Sequence, residues 1–322
     1  MRILLTGASG TFGTAFTRWA LAHGHAIVGL SRNAEMRYRL QQAYPAATVV
    51  PGDVRILSDL SAIVESFGPF DVLVHAAAEK HVTTGQAFKR YVWDVNVGGA
   101  INVIEIAEAY GIPRIIALST DKACEPVNYY GETKLEAEKL FLHAGHTVVR
   151  YGNVTGSSGS VLPLFQAQRT RGRLTITDRR MTRFFMPIAD DGGWAVIQEP
   201  GRQRVMSAVG LVSYALKHGT PGDILIPTIP SGTIQNLAEQ MGRGCEIVET
   251  GIRDGEKLHE QLIAVEEIPR TYRLTEGVFV VKPQPCELLS PVDPDFRYAS
   301  DVNPQPLHLE ESHEDRICYA PV

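Results

Sequence analysis

Residues 114–140 read RIIALSTDKACEPVNYYGETKLEAEKL, and the division of this stretch decides the fold. The apolar run Ile115-Ile116-Ala117-Leu118 predicts a buried strand ending in Ser119-Thr120-Asp121-Lys122. Residues 128–140 predict a helix that opens with Tyr130-x-x-x-Lys134. The i,i+4 spacing puts phenol and ammonium on one helix face, one turn apart. A nearby positive charge favours phenolate, so the expected pKa of Tyr130 falls. Such a phenolate is a general base for an alcohol that loses hydride from its carbon. Asp121 and Lys122 stand at the strand end, where open parallel sheets place their ligands.

Upstream, the short strand at residues 2–5 runs into Thr6-Gly7-Ala8-Ser9-Gly10-Thr11-Phe12-Gly13 and a helix. Glycine-rich turns are common. One between the first strand and a helix lets the backbone approach a pyrophosphate, with Gly7, Gly10, Thr11, Phe12 and Gly13 at the contact. The next strand, residues 26–30, ends in Ser31-Arg32-Asn33, without the carboxylate that would hold an NAD ribose. Ser31 and Arg32 suit a 2′-phosphate, so NADP is expected ahead of NAD; the alternative for Arg32 is a solvated loop residue. Asp53, followed by Val54, could hold the adenine amino group, and Ala76-Ala77-Ala78 leave room for a flat cofactor across a fourth strand. Lys80-His81 follow, either a solvated pair or a hold on an anionic substrate. A helix over residues 88–110 is expected, carrying Asn96 either on its surface or bonded to a backbone carbonyl near the site. Alternating strands and helices predict a doubly wound parallel sheet of Rossmann type.

Beyond the sixth strand (residues 147–150) the signals become short and mixed. The expected division is a cofactor-binding domain at 1–155 and, at 156–322, a smaller mixed α/β substrate lobe with some segments returning to the sheet. Arginines gather at Arg179-Arg180-Met181-Thr182-Arg183 and near Arg253, where guanidinium forks could take a diphosphate or merely face solvent. The tail from 304 to 322, with His308 and His313, reads as a packing arm before a metal site.

The 322 residues, 44% hydrophobic and 21% charged, carry a net charge of -5, which argues against a nucleic-acid surface. The apolar runs are too short for a membrane span, and the expectation is a cytoplasmic protein without a secretory signal. Four cysteines without a CxxC pair suit neither a disulfide framework nor a zinc site, and no metal is expected.

The glycine turn with Tyr130-x-x-x-Lys134 resembles the extended short-chain dehydrogenases/reductases. STDKACEPVNYYGETK (119–134), RYGNVTGSSGSVLPLF (150–165), MTRF (181–184), ILIPTIP (224–230) and GIRDGEKLHE (251–260) are together similar to the configuration-inverting UDP-N-acetylglucosamine 4,6-dehydratases. That resemblance spans nearly the whole chain. It implies oxidation at C4, loss of water across C5 and C6, and hydride return to C6 with inversion at C5, in a pathway of the pseudaminic acid type. It implies Thr120, Asp121, Lys122, Tyr130 and Lys134 as catalytic residues, with Tyr130 and Lys134 also touching the cofactor. Lys122 would be the C5 base, which requires its neutral form, and Asp121 the acid at C6. Lys80, His81, Asn153, Val161, Thr182, Arg183, Arg253 and Glu256 would meet the UDP-sugar, with Lys80 and Asn96 near the cofactor as well. A homo-oligomer, dimer to hexamer, is implied too. Three departures stand out: Ser158 where the family has arginine, an apparent insertion at 192–204, and Val82-Thr83-Thr84-Gly85 without the expected proline. A 4-epimerase, a dehydratase for another UDP-hexose, and a non-catalytic cofactor-binding regulator are the competing readings. The regulator is disfavoured by an intact set of catalytic residues.

Overall fold

The computed structural model describes residues 1–157, 159–189, 195–197, 205–274, 277–303 and 308–310. Ser158 and His313 lie outside these residues, as do most of the 192–204 stretch and of the 304–322 tail. β1 (Arg2–Thr6) turns into α1 (Thr11–Ala22), and the alternation continues through β2 (Ala26–Ser31), α2 (Ala34–Ala43), β3 (Thr48–Pro51), α3 (Leu57–Phe67) and β4 (Val72–His75). Next come α4 (Val82–Ala87), α5 (Lys89–Trp93), a π-helical turn (Asp94–Gly98) and α6 (Gly99–Ala109). β5 (Ile115–Thr120) and a 3-10 turn (Asp121–Ala123) lead to α7 (Tyr129–His143) and β6 (Thr147–Tyr151).

The later half holds β7 (Asn153–Val154), α8 (Val161–Arg169), β8 (Arg173–Ile176), β9 (Thr182–Met186) and β10 (Ala195–Ile197). It goes on with α9 (Ala208–His218), β11 (Ile224–Pro227), β12 (Ser231–Thr233), α10 (Ile234–Met241) and β13 (Glu246–Glu249). A 3-10 segment (Val265–Arg270) precedes β14 (Thr271–Arg273), β15 (Val278–Val281) and β16 (His308–Glu310).

The main sheet runs β3-β2-β1-β4-β5-β6-β11-β15-β14. Its first seven strands are mutually parallel, and β15 and β14 close the far edge antiparallel. Small sheets β12-β9-β7 and β13-β8 are built from the later half, with β7 following directly on the carboxyl end of β6. Strands covered on both faces must be apolar throughout. Accordingly Ile3, Leu5, Ile116 and Leu118 pack on one side with Phe16, while Leu4, Leu73, Ile115 and Ala117 pack on the other with Phe141. The chain leaves β1 in one direction for β2 and β3 and returns on the other side as β4, which opens a crevice between β1 and β4. There Thr6 Oγ1 meets His75 Nδ1 at 2.9 Å and accepts from the amides of Ala76 and Ala77.

The helix expected over 88–110 is interrupted. The π-helical turn separates α5 from α6, and buried Asn96 lies in it. Its carboxamide accepts from the Glu79 amide at 2.9 Å and donates to the Glu79 carbonyl and Thr133 Oγ1. The local departure from the α ladder serves these three bonds, as π turns at sites commonly do.

Candidate active site

The glycine turn forms a cradle. Gly7 has φ 69°, and a Cβ there would lie 2.8 Å from the Ala77 nitrogen; one at Gly13 would lie 2.4 Å from the Gly7 carbonyl oxygen. The N-cap of α1 is Gly10, which offers no side-chain acceptor, so the helix start presents amide donors to an anion. Backbone this close to β4, at a helix N-terminus, fits the pyrophosphate of a dinucleotide.

At the end of β2, Ser31 is buried and its hydroxyl meets Ser9 Oγ at 2.5 Å. Exposed Arg32 donates to the Tyr91 hydroxyl at 3.0 Å and approaches Asp53 at 3.8 Å. Asp53 is already engaged: Arg55 Nε and Nη2 grip both carboxylate oxygens, the closest contact being 2.6 Å. Burial works against that carboxylate, but the Arg55 hydrogen bonds outweigh it and hold Asp53 below its ordinary range. Both guanidiniums lie over the Tyr91 ring, at 5.9 and 5.3 Å. The sequence reading missed Arg55 and Tyr91, because the ring arrives from α5, remote in sequence. Val54 packs under Gly99, whose added Cβ would reach it at 2.8 Å.

The strand-end residues and the helix meet as the spacing predicts. Asn128 caps α7 through the Gly131 amide, and its amide nitrogen donates to the Gly255 carbonyl, tying the helix to the GIRDGEK loop. An added Cβ at Gly131 would lie 2.3 Å from the Lys122 carbonyl oxygen, so glycine is what lets α7 sit against the 3-10 turn. Tyr130 and Lys134 are buried on the face toward β5, and Lys134 Nζ donates to the Leu118 carbonyl at 2.8 Å. Thr120 Oγ1 and Lys122 Nζ both donate to Asp121 Oδ1 at 2.9 Å, and Asp121 is wholly buried.

The proton affinities of Tyr130 and Lys122 differ from the sequence expectation. Burial pushes the Tyr130 phenol up to about 12; the positive charge of Lys122 and a hydrogen bond with Thr120 offset only part of that. Burial lowers Lys134 to about 8, against the pull of Glu138. For Lys122 burial also disfavours the ammonium, but Asp121 and Glu260 outweigh it and raise its pKa. Lys122 is therefore a cation here.

The residues expected to meet substrate divide into two groups. Asn153 Oδ1 faces Lys122 Nζ at 3.4 Å, at the reacting end. Arg253 and Glu256, 3.7 Å apart, line a surface cavity with Val82, Thr83 and Gln86 of α4. Lys80 and His81 are exposed at the loop after β4, with His81 paired to Glu79 at 2.7 Å, and half-buried Val161 opens α8. Thr182 and Arg183 are engaged internally. Thr182 Oγ1 bonds His259 and Ser300, and the Arg183 guanidinium donates to the carbonyls of Thr182, Lys257 and Leu258 while facing Glu260. Arg179 and Arg180 pair with Glu249 and Asp178, which accounts for that arginine cluster within the protein.

The sequence reading also passed over Glu138, Arg150, Glu267 and Glu260. Glu138 lies four residues past Lys134, on the face of α7 that Tyr130 shares, so its spacing was a usable signal. It accepts from Ser119 Oγ and from Arg150.

Among the described residues, no group of three His, Cys, Asp or Glu could hold a metal ion, and no helix is long and apolar enough to cross a membrane.

Residues 3–282 match the model of a family described as polysaccharide biosynthesis protein. Two relatives from Campylobacter jejuni, both named UDP-N-acetylglucosamine 4,6-dehydratase (inverting), are similar over most of their lengths. The strain 81-176 protein is 35% identical over 94% of this chain and 93% of its own; the NCTC 11168 protein is 37% identical over 87% and 82%. A protein of Rickettsia conorii named UDP-glucose 4-epimerase is 35% identical over 83% of this chain and 79% of its own. Among solved structures, Pen from Bacillus thuringiensis superposes with a TM-score of 0.82 at 28% identity, covering 94% of this chain and 93% of its own. DesIV from Streptomyces venezuelae, a dTDP-glucose 4,6-dehydratase with NAD bound, shares the fold at a TM-score of 0.67 and 21% identity, over 80% of this chain and 87% of its own. The chain belongs to the polysaccharide biosynthesis protein family, within the extended short-chain dehydrogenases/reductases.

Proposed function

We propose that this chain is a sugar-nucleotide dehydratase that converts UDP-N-acetylglucosamine to a UDP-4-keto-6-deoxy-N-acetylhexosamine, with inversion at C5. The observation that carries this reading is the Asp121–Lys122 pair, 2.9 Å apart, against the Tyr130–Lys134 face. An oxidation followed by hydride return needs only a base at the hydroxyl. Elimination also needs a base at C5 and an acid at C6, and the pair supplies both. The names of the Campylobacter relatives point the same way.

A nicotinamide dinucleotide bound along the Gly7–Gly13 cradle supplies a hydride acceptor and donor. Gly7, Gly10, Thr11, Phe12 and Gly13 would hold its pyrophosphate, Ala76, Ala77, Ala78 and Asn96 would flank it at the crevice, and Tyr130 and Lys134 would meet it at the reacting end. We favour NADP over NAD, because Ser31 and Arg32 stand at the end of β2 and the Arg32 and Arg55 guanidiniums meet over the Tyr91 ring.

Tyr130 takes the C4 hydroxyl proton, with Thr120 bonding the same oxygen. It does so as phenolate: the about 12 that burial gives the phenol must come down when substrate and cofactor bind, and the positive charges of Lys134, Lys122 and an oxidised nicotinamide would act in that direction. Asp121 and Lys122 then share one proton along their contact. Its passage from Nζ to the carboxylate leaves an amine to take the C5 proton and an acid to protonate the departing C6 hydroxyl, and the proton count closes. Asn153 orients Nζ. The functional division within this reading is 1–155 for the cofactor and 156–322 mainly for substrate, with β11, β14 and β15 returning to the main sheet. A homo-oligomer, dimer to hexamer, completes the reading and is measured by sedimentation equilibrium.

The Rickettsia relative supports a second reading, a UDP-sugar 4-epimerase. Incubation with UDP-N-acetylglucosamine in deuterated water separates the two. A product lighter by one water, with deuterium at C5, is expected. A product of unchanged mass with altered C4 couplings establishes the epimerase instead.

A further inference from the structure

Glu260 closes the GIRDGEKLHE segment, and its side chain, 3% exposed, reaches Lys122 of the 3-10 turn. Three cations surround it: Lys122 Nζ at 3.5 Å, Arg183 Nε at 3.7 Å and Lys257 Nζ at 3.9 Å. All three distances exceed those of charge-assisted hydrogen bonds, about 2.7–2.9 Å. The carboxylate therefore acts on them through its field. Glu260 Oε2 and Asp121 Oδ2 are both buried without a hydrogen-bond partner among the described residues. The backbone of Glu260 is fastened separately: its amide donates to Ser300 Oγ, and its carbonyl accepts from the Ser300 amide. Its fold role thus rests on the main chain, and a buried charge with an idle oxygen needs another reason to be there.

We propose that Glu260 is a positioning residue for Lys122. Together with Asp121, 2.9 Å from the lysine Nζ, it sets how tightly that amine keeps its proton, so that the strength of the C5 base depends on the GIRDGEKLHE segment as well as on β5. Every element around Nζ contributes a charge or a dipole. Asp121 comes from the 3-10 turn, Tyr130 from α7, Asn153 from β7, Arg183 from β9, and Glu260 with its neighbour Lys257 from the segment ahead of β14. Asp121 and Glu260 favour the ammonium, while Arg183 opposes it. Lys257 weakens Glu260 by partial neutralisation. An amine held this way is a stronger base once its proton has passed to Asp121.

The kinetic arm of the test rests on the dehydratase reading; the spectroscopic arm does not. Glu260→Gln keeps the shape and removes the charge, and Lys257→Met removes the cation that competes for Glu260. In wild type, C5 exchange in deuterated water should rise with pH. In Glu260→Gln that rise should move to lower pH by about one unit or more, the usual reach of an opposite charge at this range. In Lys257→Met it should move to higher pH. The 13Cε signal of Lys122, assigned by its loss in Lys122→Arg, should titrate in the same two directions without substrate. Opposed shifts establish the assignment; unmoved profiles, or shifts of one sign, overturn it. If Glu260→Gln does not fold, Lys257→Met decides alone. If wild type releases no water from the sugar nucleotide, the proposed function falls while the lysine titration still reports on Glu260.

Discussion

Glu138 and Arg150 form a buried two-point ion pair, with Nη2 to Oε2 at 2.6 Å and Nε to Oε1 at 3.0 Å, and each is 2% exposed. The other edge of the guanidinium is taken by Glu267 at 2.7 and 2.9 Å. One arginine on β6 thereby joins α7 to the 3-10 segment ahead of β14. Arg150→Met would strand two carboxylates in the core, and urea unfolding should show a loss of about 3–5 kcal/mol. Replacing all three residues by apolar ones of similar volume should recover most of that. A single-variant loss within experimental error would mean that the pairs are not formed.

Lys122→Ala removes the amine while leaving Tyr130 and Lys134 in place. Reduced nicotinamide should still appear at 340 nm on mixing with substrate, since oxidation precedes elimination. Release of water should fall by about 10²–10⁴-fold. Full dehydratase turnover would assign the C5 base elsewhere.

Tyr130→Phe deletes a hydroxyl whose surroundings favour its neutral form. The folded state should be little changed, and turnover should drop by about 10²–10⁴-fold, with the loss in kcat. A change confined to KM would make Tyr130 a binding residue only.

Lys134 is a buried ammonium lowered from 10.5 to about 8 by desolvation. Between those values the unfolded chain binds more protons than the native one, so this group makes stability rise with pH through that window. Below about pH 8 its full cost is present. Lys134→Met should therefore abolish turnover yet raise stability at pH 7, by an amount on the order of 1–3 kcal/mol, with the gain shrinking toward pH 10. Thermal melts at the two pH values read this directly, and a destabilised variant at pH 7 would contradict it.

Arg32→Asp places a carboxylate beside Asp53 and Tyr91. Affinity for NADP, measured by fluorescence titration, should fall at least tenfold, while affinity for NAD holds or improves. Arg55→Asp should act in the same direction, because both guanidiniums share the Tyr91 ring. An unchanged ratio in both variants would remove the 2′-phosphate from this corner.

The parallel sheet and the Tyr130–Lys134 face were legible because they depend on local periodicity: buried parallel strands read as apolar runs, and i,i+4 neighbours share a face. The pairs that tune the site were not, for a different reason. Arg55 with Tyr91, and Lys122 with Glu260, join residues far apart in sequence, and a lone charged residue carries no mark of its partner. The proton affinities of Tyr130 and Lys122 were misjudged on the same ground. Adjacent charges can be read from spacing, but the cost of burial depends on everything packed around them. Arg183 shows the limit from another side, since its guanidinium meets three carbonyls that no side-chain pattern announces.

The π-helical turn at Asp94–Gly98 acts as a one-residue phase shift between α5 and α6. Deleting any one residue from it would restore an unbroken α ladder and rotate everything upstream by about 100°. Tyr91 would then leave the two arginines, and the Asn96 carboxamide would no longer face Glu79 and Thr133. The extra residue is thus a ratchet tooth: it holds the Tyr91 ring and the loop after β4 in register with α7, and a shortened chain could keep its hydrophobic core and still lose both alignments at once.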